Sequence, residues 1–155
     1  MVFEDMKHGE ETEVSNFVWN VFKEFEAPDY KQEGIDEFKK FISPENITIR
    51  CDNGHFFVVC CKNDSEIIGV IAMRDNSHIA LLFVKKEYHR KGIARNLFNI
   101  ALEKCCNTDQ ILQTITVNSS PYAIGIYERM GFEKIDFEQE VDGIRFTPMK
   151  FTIKL

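Results

Sequence analysis

Lys85, Lys86, Arg90, Lys91 and Arg95 crowd together in a chain whose net charge is −6 at pH 7. The run before them, Leu82-Phe83-Val84, is apolar and strand-like, and a helical pattern opens at Gly92. A strand that passes through a glycine-containing turn into a helix is a place to hold an anion. The first backbone N–H groups of a helix have no partner within it, and the helix dipole places partial positive charge there. Gly92 and Ala94 carry little or no side chain, so a pyrophosphate can approach the backbone closely. No Walker loop, G-x-x-x-x-G-K-[ST], is present, and Gly92 stands alone where a Rossmann turn needs G-x-G-x-x-G. What remains is His89-Arg90-Lys91-Gly92-Ile93-Ala94, of the form x-x-x-G-x-[GA]. Alone, it fits either a phosphate cradle or a solvated helix cap.

A second segment narrows the choice. Thr114-Ile115-Thr116-Val117-Asn118 reads as a β-branched strand. Ser119-Ser120-Pro121 ends it and opens a helix, because serine caps helices and proline suits their first turn. That helix runs through Tyr122, Ala123, Ile124, Ile126 and Tyr127 to Met130, and Gly131 stops it. The two segments together resemble the core of the GNAT superfamily of N-acetyltransferases, including its Tyr-Glu-x-x-Gly-Phe ending at Tyr127–Phe132. The likeness covers most of residues 66–137. His89 stands where that family usually has Gln or Arg.

The resemblance implies parts for particular residues. Main-chain groups of Phe83 and Val84 would meet the pantetheine arm of acetyl-CoA, with the Val84 N–H near the thioester carbonyl. The loop from His89 through Arg90, Lys91, Gly92, Ile93, Ala94 and Arg95 would hold the pyrophosphate, and Asn118 would bond the pantetheine. Tyr127 would act as general acid toward the sulfur. Counting six positions back from Val84, where one branch of the family has its general base, gives His78; its titration range suits that task. On a regular strand His78 shares a face with Ala80, Leu82 and Val84. Glu24, Glu26, Asp29 and Tyr30 compete for the base role, at a break between helices that lines the acceptor site in this family. Trp19, Phe22 and Phe25 fit either an acceptor wall or a helix's core stripe.

The elements that must position these residues follow from periodicity. Strands are expected at 2–7, 55–62, 66–74, 78–84 and 111–117, with a closing hairpin, 132–140 and 144–153, about Asp142-Gly143. Helices are expected at 10–26, 32–42, 91–106 and 121–130, with 43–46 a turn and 47–54 ambiguous. The order β-α-α-β-β-β-α-β-α-β-β is that of the GNAT fold, an α/β (α+β) architecture with a mixed, twisted sheet. The resemblance also implies that strands 78–84 and 111–117 are parallel and splay apart at their carboxyl ends.

Composition bounds the rest. At 155 residues, with 44% hydrophobic content and 14 Phe, one domain over 1–155 is expected. Neither a secretory opening nor a run long enough to cross a bilayer occurs, so the reading is a soluble, cytoplasmic protein without a membrane partner. The acidic balance argues against nucleic acid and favours a cationic acceptor such as the amine of a small molecule or peptide. Cys51, Cys60, Cys61, Cys105 and Cys106 lack zinc-ligand spacing, so no metal is expected and the thiols read as reduced and buried or half-buried. The leading expectation is an acetyl-CoA-dependent N-acetyltransferase working by direct attack in a ternary complex, as monomer or homodimer. A non-catalytic acyl-CoA-binding module on the same fold is the alternative.

Overall fold

Val14, Val18 and Phe22 recur at helical spacing along α1 (Glu11–Phe25), and all three are fully buried. In the computed structural model, which describes residues 1–154, this stripe packs on one face of a mixed sheet. β1 (Val2–Asp5) precedes α1. Then come α2 (Gln32–Phe41), α3 (Pro44–Asp52), β2 (Phe56–Asn63), β3 (Glu66–Arg74), β4 (His78–Val84), α4 (Ile93–Thr108), β5 (Thr114–Ser119), α5 (Ile124–Arg129), β6 (Glu133–Lys134), β7 (Gln139–Val141) and β8 (Ile144–Thr152). The sheet order is β1-β2-β3-β4-β5-β8-β6, with β7 also on β8. The opposite face is covered by α4 and α5, where Leu97, Phe98, Ala101 and Tyr127 pack on Ile71, Ile115 and Met149. Cys60, Cys61 and Cys105 are buried among these apolar contacts. No helix among the described residues is long and apolar enough to cross a membrane.

Two elements depart from the expected order in detail. The segment read as a turn followed by an ambiguous stretch is helix α3. Ser43 caps it by accepting a hydrogen bond from the Asn46 N–H at 3.2 Å, and Pro44 takes the first helical position. The first arm of the closing hairpin divides into β6 and β7, separate short strands that both pair with β8. The turn itself lies at Asp142-Gly143, with φ of +52° and +80°, the two left-handed residues that suit a tight hairpin.

β4 and β5 are parallel and pair only at His78 with Thr116 and Ile79 with Val117. Beyond that point the two strands no longer pair with each other, and the sheet opens like a V toward their carboxyl ends. Ligands in such sheets gather at this kind of opening. A bulge changes what β4 presents there. Ala72 faces Leu81 while Met73 faces Ile79, so Ala80 is the extra residue. The bulge corrects the expected face of His78. It shares a side with Ala80, Leu81 and Phe83, over α1 and α2, whereas Ile79, Leu82 and Val84 face α4 and α5.

Pairing also decides which main-chain groups of β4 are free. The Lys85 N–H donates to the Ile68 carbonyl at 2.8 Å, so in this antiparallel ladder Phe83 exchanges its bonds with Val70. Leu82 and Val84 turn theirs the other way, into the V. The Val84 N–H is therefore open, while its carbonyl bonds His89; the Phe83 main chain is committed to β3 and not free as expected, and Leu82 offers the open groups.

The β7–β8 turn docks on α2. The Lys31 N–H donates to the Gly143 carbonyl at 3.1 Å, and the Lys31 ammonium pairs with Glu140 at 2.7 Å. Gly34 lies so close that a Cβ there would sit 2.4 Å from the Gly143 carbonyl oxygen. Only glycine allows this approach. Gly34→Ala is expected to push the hairpin off α2 and to destabilise the fold by about 1–3 kcal/mol, the usual range for overpacking. Thermal unfolding checks this, and an unchanged melting temperature would show that the hairpin yields without cost.

Candidate active site

The turn between β4 and α4 presents a run of unpartnered backbone N–H groups. Arg90 and Gly92 both adopt left-handed φ, +62° and +77°. Alternating handedness folds successive N–H groups toward one concavity. The first helical bond of α4 runs from the Asn96 N–H to the Gly92 carbonyl. Among the described residues, the six N–H groups from Arg90 to Arg95 therefore have no protein partner. A Cβ at Gly92 would meet no atom within 4 Å, so there is open space above the backbone. The His89 ring, where the family usually has Gln or Arg, bonds through Nε2 with the Val84 carbonyl at 2.7 Å. It ties the loop to the end of β4.

The surrounding cations are not equivalent. Lys85 pairs with Glu66 at 2.5 Å and Lys86 with Glu24 at 3.4 Å. The Arg95 guanidinium donates to the Arg129 carbonyl at 2.5 Å, tying the start of α4 to the end of α5. Lys91 turns its ammonium over the Tyr88 ring, 5.3 Å from the centroid, and does not line the cavity. Arg90, Arg95 and Arg129 line the cavity beside this loop.

Two cavities meet inside the V. The first, of about 480 Å³, runs beside Leu82 and Val84 to the loop. Phe25, at the end of α1, bridges its walls with ring centroids 5.2 Å from His89 and 5.0 Å from Tyr122. The second, of about 310 Å³, lies beneath α2 and the β7–β8 hairpin and includes Tyr30, His78 and Asn118. Glu26 and Tyr127 border both, which makes them the junction.

The junction has unusual acidities. Burial pushes the Glu26 carboxyl up to about 7; the Ser120 hydroxyl opposes this and Asp29 reinforces it. Burial, then the Glu26 and Tyr30 charges, holds the Tyr127 phenol far above its ordinary range, so it keeps its proton. Burial likewise raises Tyr30. His78 bonds Thr116 through Nδ1 at 2.8 Å, and burial, helped by Arg74 and opposed by Asp75, pushes it down to about 4. It is a neutral polar wall at pH 7 and a weak base.

Of the other expected acceptor residues, Glu24 and Asp29 line neither cavity and stand in surface ion pairs, Asp29 with Arg145 at 3.8 Å. Asn118 lies on the second cavity, away from the loop. Phe22 is core, stacked on Phe38 at 4.0 Å, and Trp19 packs behind it. Neither lines the second cavity; Phe38 and Phe41 do.

Comparison with known proteins gives the family and the fold. The model of the acetyltransferase (GNAT) domain matches residues 26–153. The chain belongs to the GNAT family. A GCN5-related N-acetyltransferase from Rhodopseudomonas palustris superposes with a TM-score of 0.81 at 15% identity, over 98% of this chain and 95% of that one. The PaiA N-acetyltransferase of Thermoplasma acidophilum, in complex with coenzyme A, gives 0.74 at 21%, over 99% and 100%. Tetrahymena GCN5 gives 0.66 at 16%, over 99% and 97%. These likenesses establish the fold. No curated protein matches the sequence.

GNAT acetyltransferases take their acetyl group from acetyl-CoA, and this chain is an acyltransferase of that class. The unpartnered N–H groups of the loop, the open main chain of Leu82 and the Val84 N–H fit such a donor. Phe25, expected as an acceptor wall or as core, lies on the first cavity; sequence reasoning gave no site role to Tyr122 and Arg129 there, or to Arg74 and Glu37 on the second. Arg129 fills an unspecified position of the Tyr-Glu-x-x-Gly-Phe string, and only packing brings these residues to the cavities.

Proposed function

We propose that this GNAT acetyltransferase moves an acetyl group to a primary amine by direct attack, with donor and acceptor bound together. The observation that supports this is the junction: one acid–base pair, Glu26 and Tyr127, borders both cavities. Acetyl-CoA supplies an activated acyl thioester. The loop N–H groups hold its phosphates, and the Val84 N–H, pointing into the V, is placed to steady the carbonyl oxygen. An amine in the second cavity must lose a proton as it attacks. Glu26, poised near neutrality, accepts that proton better than His78 does. Tyr127 keeps its proton and offers it to the departing sulfur. Direct attack fits better than a covalent acyl-enzyme because no cysteine lines either cavity. Two acidities set apart at one junction also favour a catalyst over a binding module.

Thiol release from acetyl-CoA against a panel of amines tests the reading, with intersecting initial-velocity patterns expected for a ternary complex. Tyr127→Phe is expected to leave the acetyl-CoA Kd nearly unchanged and to lower kcat. General acids contribute about 10²–10⁴-fold, and the lower end applies because a CoA thiolate leaves fairly well unaided. Full activity in this variant would remove the acid role; a lost Kd would make Tyr127 a packing residue.

A further inference from the structure

The acceptor cavity has a buried end and an exposed end of different chemistry. Glu26 and Tyr127 mark the buried end. At the exposed end stand Arg74 of β3 and Glu37 of α2, whose side chains are 48% and 53% exposed. The stretch between is largely apolar, walled by Phe38 and Phe41. The two outer charges are weakly committed: Arg74 lies 3.9 Å from Asp75 and Glu37 lies 3.7 Å from Lys40, both at the limit of ion pairing. Each can take a new partner. Opposite charges at one mouth suit a group that carries both signs. The volume of about 310 Å³ falls within the range of small-molecule sites, roughly 300–1,000 Å³.

Resting on the acetyltransferase reading above, we propose that the acceptor is a free diamino monocarboxylic acid that enters with its side-chain amine first. Its carboxylate meets the Arg74 guanidinium, which can bind it through two N–H groups. Its α-ammonium meets Glu37, and its methylene stem lies along Phe38 and Phe41. The side-chain nitrogen forms the new bond to the acetyl carbon as the carbon–sulfur bond breaks. Its proton passes to Glu26, and the sulfur takes one from Tyr127. The α-amine is held at the mouth, away from Glu26, and escapes acetylation.

The test compares kcat/KM for L-lysine and L-ornithine with cadaverine, which lacks the carboxylate, and 6-aminohexanoate, which lacks the α-amine. The better amino acid is expected to exceed both by about tenfold or more, the size of one charge-assisted contact at a half-exposed site. Arg74→Gln should erase the advantage over cadaverine, and Glu37→Gln the advantage over 6-aminohexanoate. Cadaverine equal to the amino acids, or ratios unmoved in the variants, would overturn the proposal while leaving the acetyltransferase reading intact. Absence of thiol release with every amine would instead be a failure of that reading. Calorimetry of L-lysine with the CoA-saturated protein then decides the acceptor: binding weakened in Arg74→Gln supports it, and no binding overturns it.

Discussion

Replacing Glu26 with Gln is expected to lower kcat/KM by about 10²–10⁴-fold, the ordinary contribution of a general base. Glutamine keeps the shape and cannot accept the proton. In the natural protein, activity should rise with pH through about 7, where the buried carboxyl ionises. That limb should vanish in Glu26→Gln, leaving only the ionisation of the amine, and it should persist in His78→Ala. An unchanged profile in Glu26→Gln would move the base role to His78 or to water. The same substitution should stabilise the fold. The carboxyl holds its proton more tightly in the folded chain, so its favourable contribution is complete below about pH 4.5 and is lost as pH rises to about 7. Above that, the folded protein carries a buried charge. Glu26→Gln removes it and should gain about 2 kcal/mol at pH 8, discounted for partial exposure, and little at pH 4. Thermal unfolding at the two pH values measures the difference. Higher stability with lower activity is the pattern expected of a group kept for chemistry.

Gly92→Glu is expected to abolish acetyl-CoA binding while leaving a folded protein. A donor present at about 100 times its Kd stabilises the native state by about 2.7 kcal/mol, and the variant should lose that increment. Two effects combine. The side chain projects into space that no protein atom fills, and its carboxylate faces the unpartnered N–H groups that would hold a pyrophosphate. The φ of +77° adds strain of about 1 kcal/mol for any residue with a Cβ. Gly92→Ala carries the strain without the charge, so it separates the two causes. Equal donor-induced melting shifts in Gly92→Glu and the natural protein would remove the phosphate role from this loop.

Much of this molecule was legible in its sequence because the information is local. The loop at 89–95 needs a left-handed glycine and a helix start, both written in consecutive residues. The strand at 78–84 and the turn at Asp142-Gly143 lie where alternation and turn chemistry placed them. Tyr127 was identified through the Tyr-Glu-x-x-Gly-Phe string of a known family. The helix α3 was missed although Ser43-Pro44 is a sound cap, because its nine residues carry a weak apolar stripe.

What tertiary structure decided concerns residues far apart in the chain. One bulge residue, Ala80, moved His78 to the opposite face from Leu82 and Val84, and alternation cannot show a bulge. Ladder phase against β3 committed the Phe83 main chain and freed that of Leu82. Glu24, Glu26 and Asp29 are alike as letters. Only burial beside Ser120, Tyr127 and Tyr30 gives Glu26 an acidity near neutrality, while its neighbours remain in surface ion pairs. The sequence by itself determined where the backbone could hold an anion, since that depends on neighbouring φ angles and a helix start. The tertiary structure decided which carboxylate could do chemistry, since desolvation depends on everything packed around a group.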